Sequence, residues 1–86
     1  MPISYVLINS NLGTDDEIIA KIKKMMANQN DVKLEIHGVY GVYDIIVKLS
    51  SDDSTKLRSI VTSEIRKIEN VQSTLTMMVI QQQEKS

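Results

Sequence analysis

Val32-Lys33-Leu34-Glu35-Ile36-His37-Gly38-Val39-Tyr40-Gly41-Val42-Tyr43-Asp44-Ile45-Ile46-Val47-Lys48-Leu49 is the stretch whose reading decides the fold. In its first part Val32, Leu34 and Ile36 alternate with Lys33, Glu35 and His37, the period of two of a strand with one covered face. Its last part, Asp44 to Leu49, is denser in apolar groups, as a central strand covered on both sides would be. The two runs flank Gly38 and Gly41, and a hairpin needs glycine where φ is positive or where another backbone comes close. It does not need two tyrosines and an aspartate around that glycine. Tyr40, Tyr43 and Asp44 therefore mark the turn as a place to look for a ligand.

Working outward, Ile3 to Asn9 is alternating and β-branched and reads as a first strand, closed by the turn-forming Asn9-Ser10-Asn11-Leu12-Gly13. Thr14-Asp15-Asp16-Glu17 has the form of a capping box, with Thr14 as N-cap and acidic groups on the positive end of a helix dipole. Ile18, Ile19, Ile22, Met25 and Met26 then share one helix face, with Lys21, Lys23 and Lys24 off it and an end near Asn28 to Asn30. On the other side of the hairpin, Ser50 to Ser54 supply N-cap candidates for a second helix. Leu57, Ile60, Val61, Glu64, Ile65 and Ile68 form its stripe. Asn70, a residue tolerant of the left-handed conformation, ends it. Val71 to Ile80 is the last strand, and residues 81–86 (Gln-Gln-Gln-Glu-Lys-Ser) form a polar tail expected to be disordered.

The order β-α-β-β-α-β with right-handed crossovers predicts an α+β fold over residues 1–80, the ferredoxin-like plait. It has one four-stranded antiparallel sheet and both helices on one face. Along the last strand Leu75, Met77 and Val79 point one way and Thr74, Thr76, Met78 and Ile80 the other. In the first strand Tyr5 and Leu7 oppose Val6 and Ile8. Both faces thus carry apolar groups. Covering a few hundred Å² of the helix-free face at ~25 cal/mol/Å² gives on the order of 5 to 10 kcal/mol before association costs. A homodimer through symmetric contact of those faces is the expectation.

Size and charge narrow the function classes. A chain of 86 residues, 42% hydrophobic, holds one core, and with no cysteine it has neither disulfides nor Cys-rich metal sites to reinforce it. Lys plus Arg number 10 against 11 for Asp plus Glu, with no basic run, so direct nucleic-acid binding is not expected. Tyr5, Tyr40 and Tyr43 are not spaced like a base-stacking platform. The N-terminus lacks the basic and apolar regions of a signal peptide, and no apolar run approaches the ~20 residues of a membrane span, which predicts a cytoplasmic protein with no membrane contact.

Three segments in order carry a resemblance to the effector-binding C-terminal domain of Lrp/AsnC transcription regulators, the RAM domain. They are Tyr5-Val6-Leu7-Ile8, the run Val39-Tyr40-Gly41-Val42-Tyr43-Asp44-Ile45-Ile46-Val47, and Val71-Gln72-Ser73-Thr74-Leu75-Thr76. Where the family pattern has Pro-Gly at the end of the second helix, this chain has Glu69-Asn70. Regulators of that family carry an N-terminal helix-turn-helix, whereas this sequence opens on the first strand, so it resembles the stand-alone members that keep the sensor without the DNA reader. The resemblance implies dimers through the sheets, rings of dimers, and an amino acid or related small molecule bound at the interfaces between dimers. It also implies mixed assembly with full-length regulators.

Carried onto this chain, the resemblance implies that Gly41 lets backbone amides approach a carboxylate while Asp44 offsets an ammonium. Ser73, Thr74 and Thr76 of a neighbouring subunit would donate hydroxyl hydrogen bonds, and Tyr40, Val42 and Tyr43 would wall the pocket. The plainer reading is that Gly41 is turn punctuation, Asp44 caps hairpin amides, and the threonines are ordinary strand residues. An alternative function is a dimeric α+β-barrel enzyme, a cofactor-free oxygenase or isomerase, for which only His37 and Glu64 offer an acid or base. His37 beside Lys33 and Glu35 reads as solvent-facing, and Glu64 as a stripe-edge carboxylate reaching solvent or paired with Lys67 or Lys56. A third reading is a structural oligomer with an empty site. Met25, Met26, Met77 and Met78 suit adaptable packing, and neither a metal nor a cofactor is expected.

Overall fold

The computed structural model describes residues 2–80. The elements run β1 (Ile3–Ser10), α1 (Asp15–Met26), β2 (Lys33–Gly38), β3 (Ile45–Ser50), α2 (Ser54–Ser63), a 3-10 turn (Ile65–Lys67) and β4 (Val71–Met78). The strands form one sheet in the order β2-β3-β1-β4, with every neighbouring pair antiparallel. This is the expected βαββαβ plait. The alternating residues Val6 and Ile8 of β1 and Ile45, Val47 and Leu49 of β3 point to one side, where each is fully buried. There they meet Ile18 and Ile22 of α1 and Leu57 and Ile60 of α2, together with Ile65. The two central strands and the two helix stripes make a single core.

The register fixes the other face. Pairing of Leu7 with Ile46 and Leu75, and of Tyr5 with Lys48 and Met77, puts these six on the side away from the helices. Glu35 lies opposite Lys48 and forms an ion pair of 3.5 Å with it, while His37 lies opposite Ile46. The helix-free face is therefore divided, charged over β2 and β3 and apolar over β1 and β4.

Several local expectations are corrected. The capping box does not form: Thr14 Oγ1 donates to the Asn11 carbonyl (2.7 Å), and Glu17 Oε2 accepts from Asn70 Nδ2 (3.0 Å). The turn before α1 takes the Thr14 side chain and Asn70 takes that of Glu17, and no side chain caps that helix. Helix α1 stops at Met26, short of Asn28 to Asn30, and linked turns (Gln29 N–H to Met26 O, Val32 N–H to Gln29 O) lead into β2. Helix α2 is capped by the Asp53 carboxylate on Lys56 N–H (3.1 Å). It breaks after Ser63 instead of running to Ile68, and the tighter 3-10 turn keeps Ile65 buried across the break. Lys56 pairs with Asp31 (2.6 Å) and not with Glu64. Strand β4 ends at Met78, two residues before Ile80. Asn70 does hold the left-handed conformation, at φ 76°. The polar tail, residues 81–86, lies outside the described residues.

Candidate functional site

Two turns meet at one end of the sheet. The first, Asn11-Leu12-Gly13-Thr14, closes with Thr14 N–H on Asn11 O (3.1 Å) and puts Gly13 at φ 77°, a value that glycine adopts without a Cβ clash. The second follows β2: Val39 N–H donates to Asp44 O (2.8 Å) and Asp44 N–H to Ile8 O (2.9 Å), which ties the hairpin turn to the end of β1. Gly41 sits at its tip with φ 147°, again a glycine value. The register of β1 against β4 shifts between Asn9 and Ser10. That irregularity re-aims Ser10, whose N–H (2.9 Å) and Oγ (3.3 Å) both donate to Asp44 Oδ2. Asp44 thus clasps the hairpin turn to the end of β1, and does not cap its own hairpin amides as the plainer reading expected. Asp44 Oδ1 has no hydrogen-bond partner among the described residues.

The turns enclose a cleft of about 620 Å³ lined by Ser10 to Gly13, Asp15, Gly38 to Tyr40 and Asp44. Leu12 and Tyr40 stand fully exposed on its rim, with Val42 almost so. Asn70 braces its floor from β4's side: its main-chain O accepts from Asn11 N–H (2.9 Å), its Oδ1 from Asn11 Nδ2 (3.2 Å), and its Nδ2 holds Glu17. A glycine at this position could make only the first of these bonds, which gives the departure from Pro-Gly a physical basis.

Of the residues singled out in the sequence, Tyr40 and Asp44 line this cleft, while Gly41, Val42 and Tyr43 belong to the turn beside it. The β4 group is elsewhere and is split. Ser73 lies on the helix-free face, where its Oγ accepts from Asn9 Nδ2 (3.3 Å). Thr74 and Thr76 face the helix side and line a separate cleft of about 380 Å³ with Arg58, Thr62 and Arg66. Within one chain the turn and the threonines therefore do not meet. The contribution of Ser10, Asn11 and Leu12 went unnoticed in the sequence, although their turn chemistry was legible. Arg58 and Arg66 gave no sequence signal, being two ordinary polar positions of a helix. His37 lies exposed on the sheet and Glu64 half-buried at the end of α2, and neither lines these clefts. Among the described residues no group of His, Cys, Asp or Glu is placed to hold a metal ion, and no helix is long and apolar enough to cross a membrane.

Comparison with known proteins bears on these features. The family described as the Lrp/AsnC ligand binding domain matches residues 5–86. No curated protein matches the chain. Among solved structures, FFRP-DM1 is 35% identical over 93% of this chain and all of that one, with a TM-score of 0.78. Hypothetical protein PHS023 from Pyrococcus horikoshii is 34% identical over 95% of this chain and 93% of its own, with a TM-score of 0.77. A transcriptional regulator of Neisseria meningitidis, solved as a complex with L-methionine, shares the fold at a TM-score of 0.70 but only 9% identity. The present chain spans 53% of that protein. With nearly its whole length matched, the chain belongs to the Lrp/AsnC ligand binding domain family.

Proposed function

We infer that this chain is a regulatory sensing module, not an enzyme, which binds an amino acid or related small molecule between copies of itself. The observation that carries the reading is the cleft between the two turns. It has a metabolite-sized volume, a carboxylate held rigidly by Ser10 with one oxygen left over, and exposed Leu12 and Tyr40 at its mouth. Asp44 Oδ1 is positioned to take a ligand ammonium through a charge-assisted hydrogen bond, and the amides of the Gly41 turn to take a carboxylate. Exposed apolar groups at the rim are what a neighbouring copy would cover. The solved complex of the Neisseria regulator with L-methionine supports an amino acid as the ligand class for this fold.

The proposed assembly begins with a dimer through the apolar half of the helix-free face, where Leu75 and Met77 keep 45% and 47% of their surface exposed. In the proposed rings of dimers, Ser73, Thr74 and Thr76 of one copy approach the Tyr40 to Asp44 turn of another. A ligand shared between copies contributes its binding free energy only when both are in place, so it shifts assembly, and through assembly a full-length regulator of the same family. Direct contact with nucleic acid is not part of the proposal.

A thermal-shift screen of the twenty amino acids tests it, since a ligand specific for the folded state raises the midpoint by mass action. The expected result is a rise with one chemical class of amino acid, lost in Asp44→Ala. The reading fails if none raises the midpoint and Asp44→Ala leaves assembly unchanged.

A further inference from the structure

The cleft between α2 and β4 has a chemistry of its own. Arg58 and Thr62 are four residues apart on α2 and so share a helix face, with Thr62 Oγ1 donating to the Arg58 carbonyl (2.9 Å). Arg66 follows one turn further on, in the 3-10 segment, and lines the same cleft. The two arginines thus flank Thr62 along the chain and line one cleft with it. Across the cleft, β4 presents Thr74 and Thr76 at the period of two that puts both on its helix side. Val61 and Met78 supply an apolar floor.

Neither arginine forms an ion pair among the described residues, and neither threonine hydroxyl of β4 has a hydrogen-bond partner there. Lys48 and Lys56, by contrast, each have a carboxylate. The lysines of α1 also lack an ion pair among the described residues, but they stand on an exposed helix face and line neither cleft. Arg58 and Arg66 both line a concavity of about 380 Å³ to which, among the described residues, no acidic side chain contributes. Guanidinium groups match the geometry of planar and tetrahedral oxyanions through paired N–H donors.

We propose that this cleft is an oxyanion site, binding the carboxylate or phosphate of a compact organic anion through Arg58, Arg66 and the hydroxyls of Thr74 and Thr76. The Thr62 hydroxyl, whose proton is committed to the Arg58 carbonyl, positions the helix side and donates nothing to the anion. The apolar floor takes a short carbon chain. The site shares Thr74 and Thr76 with the proposed contact between dimers but goes beyond that reading, because Arg58 and Arg66 complete it within one chain without Asp44.

The test is titration of the full-length, ¹⁵N-labelled protein with sodium glutarate and, separately, sodium phosphate, at ionic strength held constant with sodium chloride. The expected result is saturable shifts of the Arg58 and Arg66 Nε–H signals and of the Thr74 and Thr76 amides. Saturation by glutarate, by phosphate or by both identifies which oxyanion is taken, and each supports the site. Arg58→Gln with Arg66→Gln should weaken binding by about tenfold or more. Thr76→Val, nearly isosteric on an exposed strand position, should weaken it severalfold while leaving the fold intact. Asp44→Asn should leave it unchanged, which separates this site from the amino-acid cleft. Linear shifts equal to those in a sodium chloride control, or saturable binding untouched by the double arginine variant, would overturn the proposal.

Discussion

The two faces of the sheet are built from the same four strands and differ in what they have to pack against. On the helix side Val6, Ile8, Val47 and Leu49 are fully buried beneath α1 and α2, so the core over the two central strands is closed within one chain. On the other side Leu75 and Met77, one residue away in the same ladder, keep nearly half their surface in water. The difference separates a side closed over a core from a side whose apolar groups stay open to water, as the proposed dimer would need. Period two lets each strand serve both without compromise.

The contrast breaks most visibly in the core. Leu49→Ala should lose about 3 kcal/mol, the usual result of a cavity in a closed core, at any protein concentration in urea denaturation. Leu75→Ala should instead act through assembly, lowering the midpoint by an amount that depends on protein concentration. Equal, concentration-independent losses in the two variants would abolish the distinction. A smaller effect is expected at the sheet end: Asp44→Asn removes the charged acceptor of the Ser10 N–H and Oγ and should destabilise by about 1.5 kcal/mol, read by the same method.

The helix side has one flaw. Ser4 is fully buried there and its hydroxyl has no partner among the described residues. Ser4→Ala should therefore stabilise, by about 1 kcal/mol, visible as a higher thermal midpoint. A loss of stability would show that the hydroxyl is satisfied. The smallest effect is expected of the exposed Lys56–Asp31 pair. The hydrogen bond from Lys56 is the main reason that Asp31 has its carboxyl lowered from the ordinary value. A depressed carboxyl contributes stability above its unfolded-state pKa and loses it as pH falls through the folded value. Lys56→Gln should therefore differ slightly from the parent at neutral pH and converge with it in strong acid, as followed by circular dichroism.

Much of this was legible in the sequence. The switch from a period of 3.6 to a period of two at Val32 located α1 and β2, and the glycine pair located the turn. The conformation of Asn70 followed from its residue type. What the sequence did not disclose came from tertiary competition. Thr14 and Glu17 have the letters of a capping box, yet the turn below them and Asn70 claim their side chains. Thr74 and Thr76 sit in the right segment, but whether they join Asp44 depends on which face of β4 they take and on a second copy. Arg58 and Arg66 line one cleft across the break of α2 into a 3-10 turn, an event that no local residue pattern announces.

Sedimentation equilibrium of the purified chain at micromolar concentration addresses the proposed pairing of the helix-free faces most directly. The account predicts a mass of at least twice the 9.7 kDa of one chain, reduced toward one chain by Leu75→Glu, whose charge would be buried without a partner. A single-chain mass throughout that range, or an assembly that Leu75→Glu leaves intact, would contradict it.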